Sequence, residues 1–154
     1  MSTTAGSTQS RTISDRIING STLDAVIYAD HTGEIRLWND AATHMFGWTS
    51  EEAVGQSLDI IIPERQRNAH WTGWDRVMET GETRYGLEPL TAPGTTKDGS
   101  RISLEFSIVM LKDIDGKVEG VAAVLRDVTA RWEKDRETRR RLREAEAKLA
   151  ELTD

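Results

Sequence analysis

Asp30-His31-Thr32-Gly33-Glu34-Ile35-Arg36-Leu37-Trp38-Asn39 begins as a tight turn and continues as an alternating segment. Asp folds its side chain back onto nearby backbone N–H groups, and glycine accepts left-handed dihedrals, so Asp30 to Gly33 reads as a reversal. Glu34 to Trp38 alternates polar and apolar residues at the strand period. Upstream, Asp24-Ala25-Val26-Ile27-Tyr28-Ala29 has strand composition, so the two arms form a β-hairpin. Asn39 or Asp40 is placed to cap a short helix through Phe46, ended by Gly47. Ser50-Glu51-Glu52 starts another helical turn that stops at Gly55.

Toward the N terminus, residues 1–12 are rich in Ser, Thr and Gly and read as a disordered arm. Residues 13–21 form a short helix and linker, capped by Thr12 or Ser14, with Ile13 and Ile17 on one face. Toward the C terminus, Pro63-Glu64 opens a longer helix to Thr80, with Gly81 as its stop. Three strand-like segments follow, Thr83 to Thr91, Ser100 to Leu111 and Val118 to Arg126, with turns at Lys97-Asp98-Gly99 and Asp113 to Gly116. In the middle one, Ile102, Leu104, Phe106, Ile108 and Met110 share a face. The expected architecture is α+β: a five-stranded antiparallel sheet over residues 22–128 with its helices on one face.

From Thr129 onward Gly and Pro vanish and charged helix formers dominate, so residues 129–154 read as a C-terminal amphipathic, coiled-coil-like helix. Leu142, Ala145, Leu149 and Leu152 fit the a and d positions of two heptads. Extending the register backward puts Asp135 and Thr138 in the seam and Val128 one heptad earlier. The expected partner for this seam is a second copy of the chain. Arg139, Arg140, Arg141 and Arg143 read as a solvated face, balanced by Glu133, Glu137, Glu144 and Glu146.

The 154 residues contain no Cys, which excludes disulfides, thiolate metal sites and thiol nucleophiles and suits a reducing cytoplasm, the expected location. No apolar run approaches the ~20 residues that span a bilayer, so no membrane partner is expected. A net charge of −6 disfavours a phosphate backbone, and no nucleic-acid partner is expected either. No Gly-rich phosphate loop, paired metal spacing or Ser/His/Asp set is visible, and the expectation is a protein that is not an enzyme.

The segment Asp30 to Asn39 with Ala41-Ala42, Phe46-Gly47-Trp48 and Glu51-Glu52-Ala53-Val54-Gly55-Gln56, the Lys97-Asp98-Gly99 turn and the closing Arg126-Asp127-Val128-Thr129 together resemble a PAS domain from about Thr22 to Thr129. The resemblance implies a ligand or partner sensor used in signal transduction. It places Asp127 and Thr129 at the junction with an outgoing signalling helix. Trp132, at the base of that helix, would couple sensor to output. The kinase phospho-acceptor and ATP-binding segments cannot fit after Thr129, so the implied output goes in trans to a histidine kinase or another signalling protein. A flavin photosensor of this fold needs an adduct-forming Cys, which the chain lacks; flavin held non-covalently, another small molecule, or an empty docking module remain alternatives.

Pro63-Glu64-Arg65-Gln66-Arg67-Asn68-Ala69-His70 is similar to the same helix in haem-binding PAS gas sensors of the FixL kind, in which the histidine here is the proximal iron ligand. On the long helix His70 shares a face with Trp74, Val77 and Met78, and Gly73 leaves a gap beside the imidazole. The resemblance implies a b-type haem (heme b) with its iron on His70, Arg76 pairing with a propionate, and Arg84 at the haem edge. It makes Phe106 and Ile108 apolar distal residues, completed by Ala123 and Leu125. Leu90 falls where those sensors carry a distal arginine. It cannot donate to a polarised ligand, so either Tyr85 does so or oxygen affinity is low. Oxygen, carbon monoxide and nitric oxide all stay open. Trp38, Trp48 and Trp74 are expected in the core or pocket lining, Trp71 pointing away from the pocket, and His31 and His44 in solvent.

Overall fold

In the computed structural model, which describes residues 12–83 and 88–153, the hairpin forms where the sequence placed it. Strand β1 (Ala25–Asp30) pairs antiparallel with β2 (Ile35–Trp38). Asp30 builds the turn itself. Its Oδ1 accepts from the backbone N–H groups of Thr32 at 3.0 Å and Glu34 at 3.2 Å, and its Oδ2 accepts from Arg36 Nε at 2.9 Å. Burial works against this anion, but hydrogen bonds from Thr32, Arg36 and the backbone outweigh it and bring the carboxyl down to about 2.

Helix α1 (Ile13–Gly20) carries a complete capping box from Thr12 and Asp15, so Thr12 belongs to a helix cap. The rest of the expected arm lies outside the described residues. Helix α2 (Asp40–Phe46) starts at Asn39, which is 1% exposed and fully satisfied. Asn39 Oδ1 accepts from Val26 N at 2.9 Å and Ala42 N at 3.0 Å, and Nδ2 donates to Ile18 O at 2.8 Å and Asp24 O at 3.1 Å. One amide therefore ties α1, β1 and α2 together. Helix α3 (Ser50–Ala53) is capped by Thr49 and ends at Val54, before Gly55.

Two 3-10 turns, Leu58–Ile61 and Glu64–Gln66, precede helix α4 (Arg67–Thr80), which Gly81 stops in a left-handed cap at φ 68°. The α-helix thus starts later than Pro63, because that residue is extended at ψ 142° and Glu64 begins a tighter turn.

Strands β3 (Leu90–Thr95), β4 (Arg101–Lys112) and β5 (Val118–Asp127) complete a five-stranded antiparallel sheet in the order β2-β1-β5-β4-β3. Strand β3 corrects the expectation of Thr83 to Thr91: it lies further along, through Pro93 and Gly94, residues that ordinarily break a strand. It tolerates both because it is an edge. Thr96 donates inward to Ser100 O at 3.0 Å, and alternation from there puts the Pro93 nitrogen on the free side, where no ladder bond is lost. Gly94 faces the core, where an added Cβ would lie 2.7 Å from Leu104 Cδ1. Lys97 links this hairpin to the helical layer, its N–H donating to Phe46 O at 2.8 Å and its Nζ pairing with Glu52 at 2.6 Å.

The core lies between the sheet's inner face and the helices, with Ile27, Ile35, Trp38, Phe46, Trp74, Leu104 and Leu125 buried. Helix α5 (Thr129–Leu152) leaves the sheet at the end of β5, and none of its side chains is buried. No described helix is long and apolar enough to cross a membrane.

Candidate functional site

Register places the expected distal wall on one surface. Leu90 pairs with Phe106, Phe106 with Leu125, and Ile108 with Ala123, so all five side chains point to the inner face of β3, β4 and β5. Leu125 is buried, while Leu90, Phe106, Ile108 and Ala123 are half-buried. Side chains on the inner face of central strands are normally covered; here the covering is incomplete.

Helix α4 packs on the core through Trp74, with Trp71 and Met78 beside it. Arg67, His70, Trp71, Trp74, Val77 and Met78 form its covered stripe, whereas Ala69, Thr72, Gly73 and Arg76 are exposed. His70 is half-buried, with its Nδ1 shielded from solvent and without a hydrogen-bond partner among the described residues. Burial disfavours the imidazolium and lowers the pKa of His70, with the Asp59 carboxylate opposing, so near neutral pH the ring is uncharged. A neutral imidazole on a covered helix face is the residue type that a haem iron takes as ligand.

Two indoles hold the ring on one side. Trp71 lies edge-on to His70 at 4.6 Å between centroids, and Trp74 lies tilted at 5.9 Å. Each indole is anchored outside the helix: Trp71 Nε1 donates to Asp59 Oδ1 at 2.7 Å and Trp74 Nε1 donates to the His31 carbonyl at 3.1 Å. Gly33 makes room for this clamp, since a Cβ there would lie 2.3 Å from the Trp71 ring and the residue sits at φ 85°. Trp71 therefore packs inward, contrary to the expectation that it points away, because the hairpin turn gives its ring a seat and Asp59 gives it an acceptor. A Cβ built at Gly73 meets nothing within 4 Å, because Gly73 lies on the solvent-exposed face of α4. A neutral imidazole on the covered stripe and a half-covered apolar wall are the residue types that suit a planar iron-bearing group.

Other expected contacts are not brought to this stripe. Arg76 is exposed and off the covered face of α4. Arg84 and Tyr85 lie outside the described residues. Leu90 occupies the wall and offers no donor. Trp38 is buried and donates to Thr43 Oγ1 at 3.1 Å and Trp48 O at 3.0 Å. Trp48 is half-buried, its Nε1 shielded and without a partner among the described residues. His31 and His44 are exposed, as expected, although the His31 backbone receives Trp74. No group of three or more His, Cys, Asp or Glu that could hold a metal occurs among the described residues.

At the far end of the sheet, Asp127, Val128 and Thr129 pin the start of α5 to β4. Val128 N donates to Ser103 O at 2.9 Å, and Ser103 N donates to Thr129 Oγ1 at 2.8 Å. Thr129 returns its N–H and its hydroxyl to Asp127 Oδ1 at 2.9 and 2.5 Å. Arg131 pairs with Glu105 at 2.6 Å. Trp132, 52% exposed, stands beside this joint with the Arg136 guanidinium 5.5 Å from its ring. Asp59, Gly33 and Ser103 were not singled out from the sequence as site residues. Gly33 carried a turn signal, whereas Asp59 and Ser103 act across sequence gaps that no local pattern reveals.

A family model described as PAS fold matches residues 21–133, and the chain belongs to the PAS family. The protein is similar to the sensor protein FixL of Bradyrhizobium diazoefficiens, 28% identical over 130 residues covering 84% of this chain and 25% of that protein. It is similar also to the oxygen sensor protein DosP of Escherichia coli, 28% identical over 113 residues covering 73% of this chain and 14% of that protein. The chain thus spans a quarter or less of the length of these relatives. Among solved structures, a PAS domain from Colwellia psychrerythraea superposes with a TM-score of 0.63 at 20% identity, covering 75% of this chain and 93% of that one, a likeness in fold.

Proposed function

We propose that this PAS domain is a cytoplasmic sensor that holds a b-type haem through His70 and reads a diatomic gas. The observation that carries the proposal is the His70 imidazole, half-buried on the covered stripe of α4 and held neutral by burial, in a domain whose sheet carries an incompletely covered apolar wall. Similarity to an oxygen sensor protein supports the same reading. Bound there, the haem supplies an iron with an open position for the gas. The chain's own residues do the rest. His70 presents the nitrogen, Trp71 and Trp74 fix its ring, and Leu90, Phe106, Ile108, Ala123 and Leu125 exclude water. Arg76 is assigned to a propionate, from an exposed position that its long side chain must bridge, and Arg84 to the haem edge. With no donor at Leu90, a polarised ligand gains little from the wall unless Tyr85 supplies one.

Displacement of the sheet would pass through Asp127 and Thr129 to α5 and Trp132. Paired with a second copy along Leu142, Ala145, Leu149 and Leu152, α5 would deliver it to a histidine kinase or other signalling partner in trans. The test is the visible spectrum of protein purified with haem supplied. A Soret band that survives gel filtration in wild type and disappears in His70→Ala supports the proposal; no band in wild type overturns it.

A second reading, a cofactor-free pairing module, draws on the exposed leucines of α5, with Leu142 57%, Leu149 64% and Leu152 83% exposed. A colourless protein that still dimerises selects that reading, and mass spectrometry of denatured protein would detect flavin or another small ligand.

A further inference from the structure

The groove where α5 leaves the sheet holds the relay residues Thr129 and Trp132 but none of the residues assigned to haem. It has a volume of about 440 Å³, and its lining includes Pro93, Arg101, Ser103, Val128, Trp132 and Arg136. A second cleft of about 370 Å³ continues along α5 between Arg136, Arg139, Leu142 and Arg143. Arg136, Arg139 and Arg143 share one face of α5. Arg131, Arg140 and Arg141 pair with carboxylates, Glu105 for the first and Glu137 for the other two. Those in the clefts (Arg136, Arg139 and Arg143, with Arg101 from β4) have no ion-pair partner among the described residues. A chain of net charge −6 thus sets two of these unpaired arginines, Arg101 and Arg136, in the groove with Trp132 and continues the row along α5 through Arg139 and Arg143.

We infer that this groove docks an acidic polypeptide segment carrying an apolar side chain. Carboxylates would meet the four arginines, and the apolar side chain would enter between Trp132 and Pro93. The occupant binds through side chains, because Pro93 removes a donor from the free edge of β3 and blocks ordinary strand addition. Nucleic acid fits less well, because a phosphate backbone offers no apolar side chain for the space beside Trp132 and Pro93. The floor of the groove is the Ser103–Val128–Thr129 joint, so an occupant touches sheet and helix together. The inference does not depend on haem at His70.

The test is calorimetric titration of the full chain with a short acetylated peptide of glutamate and leucine. Saturable binding is expected, weakening as salt is raised. Arg136→Glu with Arg139→Glu should weaken it at least tenfold, Trp132→Ala should weaken it as well, and Arg140→Glu should leave it within twofold of wild type. Circular dichroism checks that each variant is folded. No saturable binding overturns the inference, as does equal loss in Arg140→Glu. Tighter binding of a single-stranded RNA oligonucleotide or of phosphatidylserine vesicles than of the peptide would mean that the groove reads phosphate, and overturns it too. A change of sedimentation between wild type and the double variant would make the groove a contact between copies and would equally overturn it.

Discussion

Asn39 and Gly33 show how single residues set the frame around His70. Asn39→Ala removes the acceptor of two backbone N–H groups and the donor to two carbonyls at a site 1% exposed. Adding a lost cap to buried groups left unpaired gives an expected loss of about 3 kcal/mol in chemical denaturation. Asn39→Asp keeps both acceptor bonds but turns a carboxylate oxygen onto the Ile18 and Asp24 carbonyls in a buried site, so it should lose at least as much. Gly33→Ala forces a left-handed φ on alanine and drives its Cβ into the Trp71 ring, so a loss of about 2 kcal/mol or more is expected, with α4 losing hydrogen-exchange protection first. His70 adds a pH dependence to the apoprotein. Burial lowers its pKa below the ordinary 6.5, so in acid the unfolded chain takes up a proton that the native state resists. Stability should therefore decline as pH falls below about 6.5 and level off beneath the lowered native value. His70→Phe should flatten that slope between pH 7 and 5; an unchanged slope would contradict the burial of the ring.

Among the elements, the joint between β5 and α5 is the one on which signalling would turn. Thr129→Val deletes the acceptor for Ser103 N and the hydroxyl bond to Asp127. About 1 kcal/mol of stability should go, and amide exchange should quicken in the first turn of α5 while β1 and β5 keep their protection. The same elements show why parts of the fold could be read in advance. The hairpin, the capped α2 and the alternation in β4 are local: Asp30, Asn39 and the run from Ile102 to Met110 each carry their signal within a few neighbours. Strand β3 escaped because its permission to hold Pro93 and Gly94 comes from its edge position, a property of the whole sheet. The covered stripe of α4 was legible at His70, Trp74, Val77 and Met78. The inward turn of Trp71 was not, since its acceptor Asp59 and its seat Gly33 are remote in sequence.

At the scale of the whole molecule, a PAS domain and an exposed 24-residue helix must act as one unit for the proposed sensor to work. Leu142→Glu with Leu149→Glu places charge in the α5 seam, and sedimentation equilibrium should then report a monomer where wild type forms a dimer. The site should be indifferent to that change, because its residues lie on α4 and on strands β3, β4 and β5. The claim on which the account rests is that one imidazole holds the iron, and chemical rescue tests it without relying on fold. In His70→Gly supplied with haem, the Soret band should be lost and should return when free imidazole is added. Wild-type protein without a Soret band, or a His70→Gly variant whose spectrum matches wild type with no imidazole present, would contradict it.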